Sequence, residues 1–326
     1  MKGSGCVRRK HFAQSGVEKE ENCHREKTSN IFGWLIDMFL NIIQLFIVGI
    51  LQGGIYSLIS IGLTMVWGVM QIVNFAHGEY LMLGMYATFW LFQLYGIDPY
   101  LSLLFTTPLL FLLGIITQKL IISPIIGAPP VTQIFATVGL QIVLQNLALV
   151  LWKPDYRSLH LPTSTSNLKF HGLIISFPRL MAFVITLAMV TALFLFLKKT
   201  YVGKALRATA DNKMAAHLMG INVNRLYYLA LGIGIACVGI AGGILMPMYP
   251  AFPTVGGYFV LIAFVVVVLG GMGSMAGAFI GGLIIGLAEA FSGFFISPGL
   301  KELFYFLVFI LILVFKPSGL MGKVTR

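Results

Sequence analysis

The length of its charge-free intervals limits most strongly what this chain can fold into. Sixty-three consecutive residues between Arg225 and Glu289 contain no Asp, Glu, Lys or Arg, and a second charge-free interval runs from Asp37 to Glu79. A helix that crosses ~30 Å of hydrocarbon needs about 20 apolar residues. The longer interval can therefore contain three membrane spans, and the pattern indicates an integral membrane protein.

The composition excludes the soluble alternatives. Hydrophobic residues make up 58% of the chain and charged residues only 10%, whereas soluble domains have about 25% charged residues. A water-soluble single domain and a disordered chain are both excluded. Of the net charge of +11, residues 1–30 contribute +3, and the remaining +8 comes from basic residues isolated between apolar runs. That placement is typical of membrane anchors rather than of a nucleic-acid surface, so we expect lipid contact and no nucleic-acid partner.

The intervals between charges predict an all-α, polytopic integral membrane protein with about 8–10 transmembrane helices. Runs of this length must be helical, because every backbone polar group in lipid needs an internal partner. The first two spans can also form one long bent helix. The predicted spans are residues 34–51, 54–72, 79–95, 101–122, 131–152, 178–197, 226–247, 256–271, 276–294 and 302–316.

The distribution of basic residues predicts the orientation of the chain. The loop at 198–225 carries six of them, so the positive-inside rule places it in the cytoplasm. The C-terminus then lies on the same side, and the loop at 153–177 lies outside. Residues 1–33 are predicted to be a disordered cytoplasmic tail that precedes a permease domain at 34–322. Because the apolar pattern starts near Met38, that methionine is an alternative start of translation.

A first motif combines glycines with polar residues. Gly53 and Gly54 are predicted to let helices approach closely, and Asn74, His77 and Glu79 crowd polar groups at one helix end. The polar group supports two interpretations. It can cap and pair with backbone groups at the membrane interface, or it can form part of a gate or pathway.

A second motif is rich in glycine. Gly273, Gly277 and Gly281 recur every four residues and are predicted to share one helix face. This face can serve simple helix packing or form a hinge in a moving helix. Glu289 follows within the same apolar run, and a carboxylate there should face a partner or water rather than lipid.

A third motif is the longest polar stretch between spans, residues 201–221. Residues 204–219 are predicted to form a short amphipathic helix that ends at Gly220. Its expected apolar face consists of Leu206, Ala210, Met214 and Leu218. Such a helix can lie on lipid headgroups or dock a cytoplasmic partner.

Several motifs of enzymes and pumps do not occur in the sequence. The chain has no Walker phosphate loop, no H-E-x-x-H and no G-x-S-x-G. It is therefore not expected to hydrolyse ATP or to be an enzyme, and no cofactor or metal is predicted. Ionisable residues near membrane depth are few, which weighs against ion-coupled secondary transport. They are His77, Glu79, Glu289 and Glu302.

Taken together, these motifs resemble the permease subunits of bacterial branched-chain amino acid ABC transporters, of the LivH type. The resemblance covers residues 40–322 in order. It depends on the residues from Gly54 to Glu79, on Gly203, Arg207, Ala208, Gly220 and Ile221, and on the glycine-rich motif with Glu289. One departure is the Pro-rich loop at 119–130, which carries one basic residue where such permeases commonly have several.

The resemblance implies an importer with several subunits in the bacterial cytoplasmic (inner) membrane. A second related permease would pair with this chain as a heterodimer or homodimer. Two cytoplasmic ATPases would supply energy, and a periplasmic binding protein would deliver branched-chain amino acids. The polar stretch would couple to the ATPases, with Arg207 and Asp211 in contact with them. The residues implied in this coupling are Gly203, Lys204, Arg207, Ala208, Asp211, Ala215, Gly220 and Ile221.

Other functions stay open at this point. The substrate could be urea, a short amide or another small polar solute, and the chain could be a stand-alone carrier or channel. Polar side chains within spans are expected to face protein or water, where they line a pathway or bond between helices. The candidates are Gln44, Gln52, Asn74, Gln141, Gln145 and Asn146, with His77, Glu79 and Glu289 as ionisable pathway candidates.

Overall fold

A computed structural model describes residues 16–159, 161, 167–170 and 173–322. The chain divides into two compact units, Met1–Gln44 and Leu45–Arg326. The first unit contains the N-terminal part of helix α1, Gly16–Met70, and the second contains all the elements that follow. Helix α1 begins inside the segment predicted as a disordered tail, whereas residues 1–15 lie outside the described residues. The assignment of a separate tail at 1–33 stays a prediction.

Further α-helices follow α1 along the second unit. They are α2 His77–Tyr95, α3 Pro99–Thr117, α4 Ser123–Ile125, α5 Pro130–Trp152, α6 Phe177–Lys199, α7 Tyr201–Asp211, α8 Lys213–Leu218, α9 Val223–Leu245, α10 Val255–Gly270, α11 Met275–Phe295 and α12 Lys301–Phe315. A π-helical turn, Gln118–Ile122, joins α3 to α4, and a 3-10 turn, Pro298–Leu300, precedes α12.

In the described residues, six helical segments are long and apolar enough to cross a membrane. They are Met38–Met70, Pro99–Ile125, Pro130–Trp152, Phe177–Lys199, Val223–Leu245 and Met275–Phe295, and Val255–Gly270 is a shorter apolar helix. The first two predicted spans fall within one continuous helix, as the sequence allowed. The predicted class, an all-α polytopic membrane protein, is confirmed.

Two connections differ from plain loops. Residues 71–76 between α1 and α2 are not helical, yet Ile72, Asn74 and Ala76 are at most 1% exposed. The connection between α5 and α6 contains a two-stranded antiparallel hairpin, in which β1, Asn167–Phe170, pairs with β2, Leu173–Ser176. The sequence predicted only a loop there, because strands this short give little periodic signal.

Close contacts at glycine join the helices of the second unit. A Cβ atom on Gly53 would lie 2.7 Å from the carbonyl oxygen of Gly282, so α1 and α11 meet backbone to backbone. A Cβ on Gly78 would lie 2.1 Å from the carbonyl oxygen of Gly256, which places α2 equally close to α10. Contacts of this kind need residues without side-chain bulk.

The predicted packing glycines are placed as follows. Gly54 faces Phe183, and Gly277 and Gly281 face the last turns of α10. Gly273 does not share their helix face, because α11 begins only at Met275. Gly273 instead lies in the preceding turn with a φ of +87°, a conformation that suits glycine. The four-residue spacing therefore misplaced it.

Helices α7 and α8 carry the basic residues Lys204, Arg207 and Lys213 at one end of the second unit. The end of α1, helix α7 and the turn 271–274 all line one cavity of about 370 Å³. We use the name basic end for the region that contains this cavity and helices α7 and α8. The C-terminal segment also reaches it, since the backbone N–H groups of Leu320 and Met321 donate to the carbonyl oxygens of Leu269 and Gly270.

The prediction of a single amphipathic helix at 204–219 is wrong. The helix breaks at Asn212, whose backbone is extended and whose side chain accepts a hydrogen bond from the N–H of Ala215 to cap α8. The break also changes which residues are buried. Leu206 is 1% exposed, whereas Met214 and Leu218 are 68% and 81% exposed.

Candidate functional site

The structure brings several of the predicted pathway residues into two groups, each centred on a buried carboxylate. Glu289, Tyr56, Lys301, Gln52 and Tyr249 form what we call the Glu289 cluster. Glu79 and its amide partners Gln141 and Gln145 form the Glu79 cluster. Each group joins residues from distant parts of the sequence, so neither could be recognised from local spacing.

In the Glu289 cluster, the carboxylate on α11 has two strong partners. The ammonium nitrogen of Lys301 lies 2.9 Å from Oε1 of Glu289, and the hydroxyl of Tyr56 donates to Oε2. Hydrogen bonds to ionised groups are stronger than those between neutral groups. These contacts tie α1, α11 and the first residue of α12 together. Glu289 itself is only 9% exposed.

The cluster continues to the connection between α9 and α10. The side-chain amide of Gln52 on α1 donates to the hydroxyl of Tyr249, over 3.2 Å. Burial raises the pKa of Tyr249, and the nearby Glu289 carboxylate raises it further. Tyr249 is therefore a neutral phenol that can both donate and accept hydrogen bonds. Sequence reasoning missed Tyr56, Tyr249 and Lys301.

In the Glu79 cluster, the carboxylate on α2 has only neutral partners. The amide of Gln145 on α5 donates to Oε1 of Glu79 over 2.8 Å, and Gln141, one turn earlier, also interacts with the carboxyl group. Oε2 has no hydrogen-bond partner among the described residues and faces the first turn of α10 at Gly256. The side chain of Glu79 is fully buried.

Asn74 and His77 precede this cluster on the chain. Both are fully buried. Asn74 lies in the non-helical segment 71–76, and His77 is the first residue of α2. His77 Nε2 lies 3.2 Å from the carbonyl oxygen of Ile59, whereas no described residue hydrogen-bonds the side chain of Asn74. Asn74 does not cap α2, because the N-cap position is Ala76. Asn146 on α5 is exposed, and its amide donates to the carbonyl oxygen of Ile142.

The residues implied in coupling lie at the basic end. Most of them are exposed, namely Lys204, Arg207, Ala208, Asp211, Ala215 and Gly220, and Ile221 is half-buried. Gly203 differs from them. It is buried, and a Cβ there would lie 2.3 Å from the carbonyl oxygen of Phe196. Gly203 thus holds α7 against α6, and a partner subunit could not touch it directly.

A cavity of about 760 Å³ opens beside α8. Its lining is Lys213, Met214, His217, Gly220, Ile221, Asn222, Val223 and Asn224. Met214 and Leu218, which the sequence assigned to the apolar face of one helix, are exposed beside it, as is Met219 at 82%. The signal that could have revealed this was Asn212, a residue that favours the N-cap of a new helix.

The two clusters contain hydrogen bonds and one ion pair between different helices. Glu289 pairs with Lys301 and Tyr56, and Glu79 accepts from Gln145, whereas most of the residues implied in coupling are exposed at the basic end. Among the side chains that the structure describes, three or more His, Cys, Asp or Glu residues never cluster as metal ligands would. The described geometry therefore suits a transport pathway and an interaction surface.

Comparison with known proteins agrees with this arrangement. Residues 45–314 match the family described as "Branched-chain amino acid transport system / permease component". The chain is similar to the BraD permease protein of a high-affinity branched-chain amino acid transport system from Pseudomonas aeruginosa, with 33% identity over 303 residues. That alignment covers 86% of this chain and 96% of BraD.

The LivH permease proteins of high-affinity branched-chain amino acid transport systems are equally similar. LivH of Salmonella typhimurium is 34% identical over 310 residues, and LivH of Escherichia coli is 32% identical over 309. Each alignment covers 88% of this chain and 97% of the relative. The chain therefore belongs to the family of permease components of branched-chain amino acid transport systems, and it is a multi-pass membrane transport subunit rather than an enzyme.

Proposed function

We propose that this chain forms part of the translocation pathway of an ABC importer for branched-chain amino acids in a bacterial cytoplasmic membrane. A second related permease completes the pathway, a periplasmic binding protein delivers the substrate, and two cytoplasmic ATPase subunits supply the energy. Membership of the family supports the substrate class and the need for partners.

The observation that carries the proposal is the surface at the basic end. Helices α7 and α8 present exposed cationic residues, Lys204, Arg207 and Lys213, beside the exposed apolar side chains of Met214 and Leu218. The cavity of about 760 Å³ opens next to them. A mixed apolar and charged surface with a concave region suits a protein partner.

We assign this surface to the ATPase subunit. Closure of the ATPases on ATP would move α7 and α8, and Gly203 would transmit that movement to α6 through its close backbone contact. The ATPases must bind two conformations of the permease with different affinity, since otherwise ATP could not change the pathway.

Charge reversal at Arg207 tests the assignment. The complex is reconstituted into proteoliposomes with its binding protein, and ATP hydrolysis and uptake of radiolabelled leucine are measured. Arg207→Glu is expected to lower both by about tenfold, because like charges at an interface weaken association. Lys153→Glu is the matched control, since Lys153 is equally exposed and lies at the far end of α5.

The possible results separate the parts of the proposal. Normal leucine-stimulated ATP hydrolysis in Arg207→Glu would contradict the ATPase contact. Absence of leucine uptake by the wild-type complex would contradict the substrate class. Substitution of Gly203 is not a clean test of docking, because any side chain there would clash with α6.

A further inference from the structure

Within the Glu289 cluster, the side chain of Lys301 is more exposed than those of Glu289 and Tyr56. The side chain of Lys301 is 35% exposed, that of Glu289 is 10% exposed, and Tyr56 behind it is 1% exposed. The carboxylate is therefore fixed from within by Tyr56 and covered from outside by a flexible cation. Lys301 is therefore the member of the ion pair that solvent reaches more readily.

An ion pair in this position matches one class of ligand. A free amino acid carries an ammonium group and a carboxylate on the same carbon, so its two charges can face Glu289 and Lys301 in opposite order. Exchange of the Lys301 ammonium for that of the ligand keeps the Glu289 carboxylate paired throughout. A buried charge left without a partner would be costly, and the exchange avoids that cost.

The cluster also has unused capacity for hydrogen bonds. Gln52 is 6% exposed, and its carbonyl oxygen Oε1 has no hydrogen-bond partner among the described residues. Its amide nitrogen holds the hydroxyl of Tyr249, and the hydroxyls of Tyr249 and Tyr258 lie within electrostatic range of Glu289. A buried acceptor without a donor is uncommon in native structures and points to a missing ligand or water.

Exposed aromatic side chains lie on the two helices that carry Tyr56 and Glu289. Phe291 follows Glu289 on α11 and packs edge-on against Phe46 of α1, with ring centroids 5.0 Å apart. Phe46, Phe294 and Phe295 are 47%, 57% and 63% exposed. Helices that carry both a charged pair and exposed aromatic rings offer contacts for the two parts of an apolar amino acid, its charged backbone and its hydrophobic side chain.

From these observations we propose that Glu289 and Lys301 form a binding site for the ammonium and carboxylate groups of a zwitterionic amino acid as it passes through the permease. Tyr56 is a positioning residue that holds the Glu289 carboxylate in place. The proposal rests on the proposed function, since it assigns a place to the substrate of that importer.

The test separates binding from a purely structural role of the ion pair. The variants are Glu289→Gln, Lys301→Met and the double variant with both changes, in the complete reconstituted complex with its binding protein. Uptake of radiolabelled leucine and ATP hydrolysis stimulated by the binding protein are both measured. Glu302→Gln is the control, because Glu302 is an exposed neighbour outside the cluster.

The double variant is decisive, because replacing both partners of a buried ion pair by neutral groups commonly preserves stability. If the pair binds substrate, the double variant assembles and hydrolyses ATP normally, while leucine uptake falls by about tenfold, as expected for loss of charged hydrogen bonds. Glu302→Gln retains both activities.

Other results overturn the proposal. If the double variant recovers wild-type uptake, or if its uptake and ATP hydrolysis fall together, the pair has only a structural role. Failure of the double variant to assemble gives the same conclusion. If the wild-type complex transports no leucine, the proposed function fails before any variant is compared, and the binding site fails with it.

Discussion

Glu79 and Glu289 are both carboxylates buried on membrane helices, but the protein surrounds them with different chemistry. Glu289 pairs with the Lys301 cation at 2.9 Å and accepts from the phenol of Tyr56. Glu79 accepts from the neutral amide of Gln145, and its second oxygen has no hydrogen-bond partner among the described residues. One site contains a compensated charge pair, whereas the other contains a carboxyl group supported by amides.

This difference shows how much each site depends on charge. Removing one member of a buried ion pair leaves the other charge uncompensated, which is strongly destabilising. A site whose partners are neutral has no opposite charge that a neutral substitution could leave unpaired. The two clusters should therefore respond differently to neutral substitutions of similar size, although both carboxylates are at most 9% exposed.

The largest expected effect comes from the glycine contact that positions Glu79. Gly78→Leu would place side-chain atoms where a Cβ already lies 2.1 Å from the carbonyl oxygen of Gly256. We expect a loss of at least about 3 kcal/mol of unfolding free energy, because both sides of the contact are helix backbone, which cannot move aside as a flexible side chain can. Purified yield and the midpoint of unfolding in detergent measure this loss.

Gly139→Leu on α5 is the control for that variant, because no atom lies within 4 Å of a Cβ at Gly139. It should retain the stability of the wild type. Equal loss in both variants would show that the contact between α2 and α10 is not what makes Gly78 sensitive.

The next effect concerns the Glu289 cluster. Lys301→Met should lower the unfolding free energy by about 2 kcal/mol, less than the 3–5 kcal/mol of a fully buried pair, because Lys301 is one-third exposed. Adding Glu289→Gln should restore most of this loss, since no charge is then left unpaired. Unfolding midpoints of the single and double variants measure the coupling. Additive losses would contradict a compensated pair.

The sequence located the helices well because charges mark their ends. In a chain with so few charged residues, each predicted span between 79 and 316 begins and ends within about three residues of the ends of an observed helical segment. It also predicted that Glu289 faces a partner or water rather than lipid, since lone carboxylates are costly in a membrane. The sequence could not identify that partner, because Lys301 lies beyond a turn and on another helix.

The sequence failed where tertiary contacts decide. The Gln145 side chain reaches Glu79 across 66 positions of sequence, and no local pattern indicates that pairing. The exposed face of α7 and α8 was misassigned because a continuous helical period was assumed through Asn212. A side-chain cap at that residue starts a new helix with a different face towards the bundle.

A smaller effect is expected from the amide support of Glu79. Gln145→Leu removes the donor to Oε1 and should lower the unfolding free energy by about 1 kcal/mol, the usual net value of one hydrogen bond. Asn146→Leu is the matched control on the next residue, because its exposed amide bonds only to its own helix. The unfolding midpoints of both variants are compared with the wild type. A loss in Asn146→Leu as large as in Gln145→Leu would contradict the assigned contact.

The smallest expected effect is that of Glu79→Gln, and it tests the comparison most directly. The substituted amide has nearly the same shape, and its carbonyl oxygen still accepts from Gln145. Since no described cation pairs with Glu79, we expect the unfolding free energy to change by less than about 0.5 kcal/mol. Glu289→Gln should cost more, because Lys301 then has no counter-ion. If instead Glu79→Gln is as destabilising as Glu289→Gln, Glu79 contributes through its negative charge, and the distinction between a charge-paired and an amide-supported carboxyl group fails.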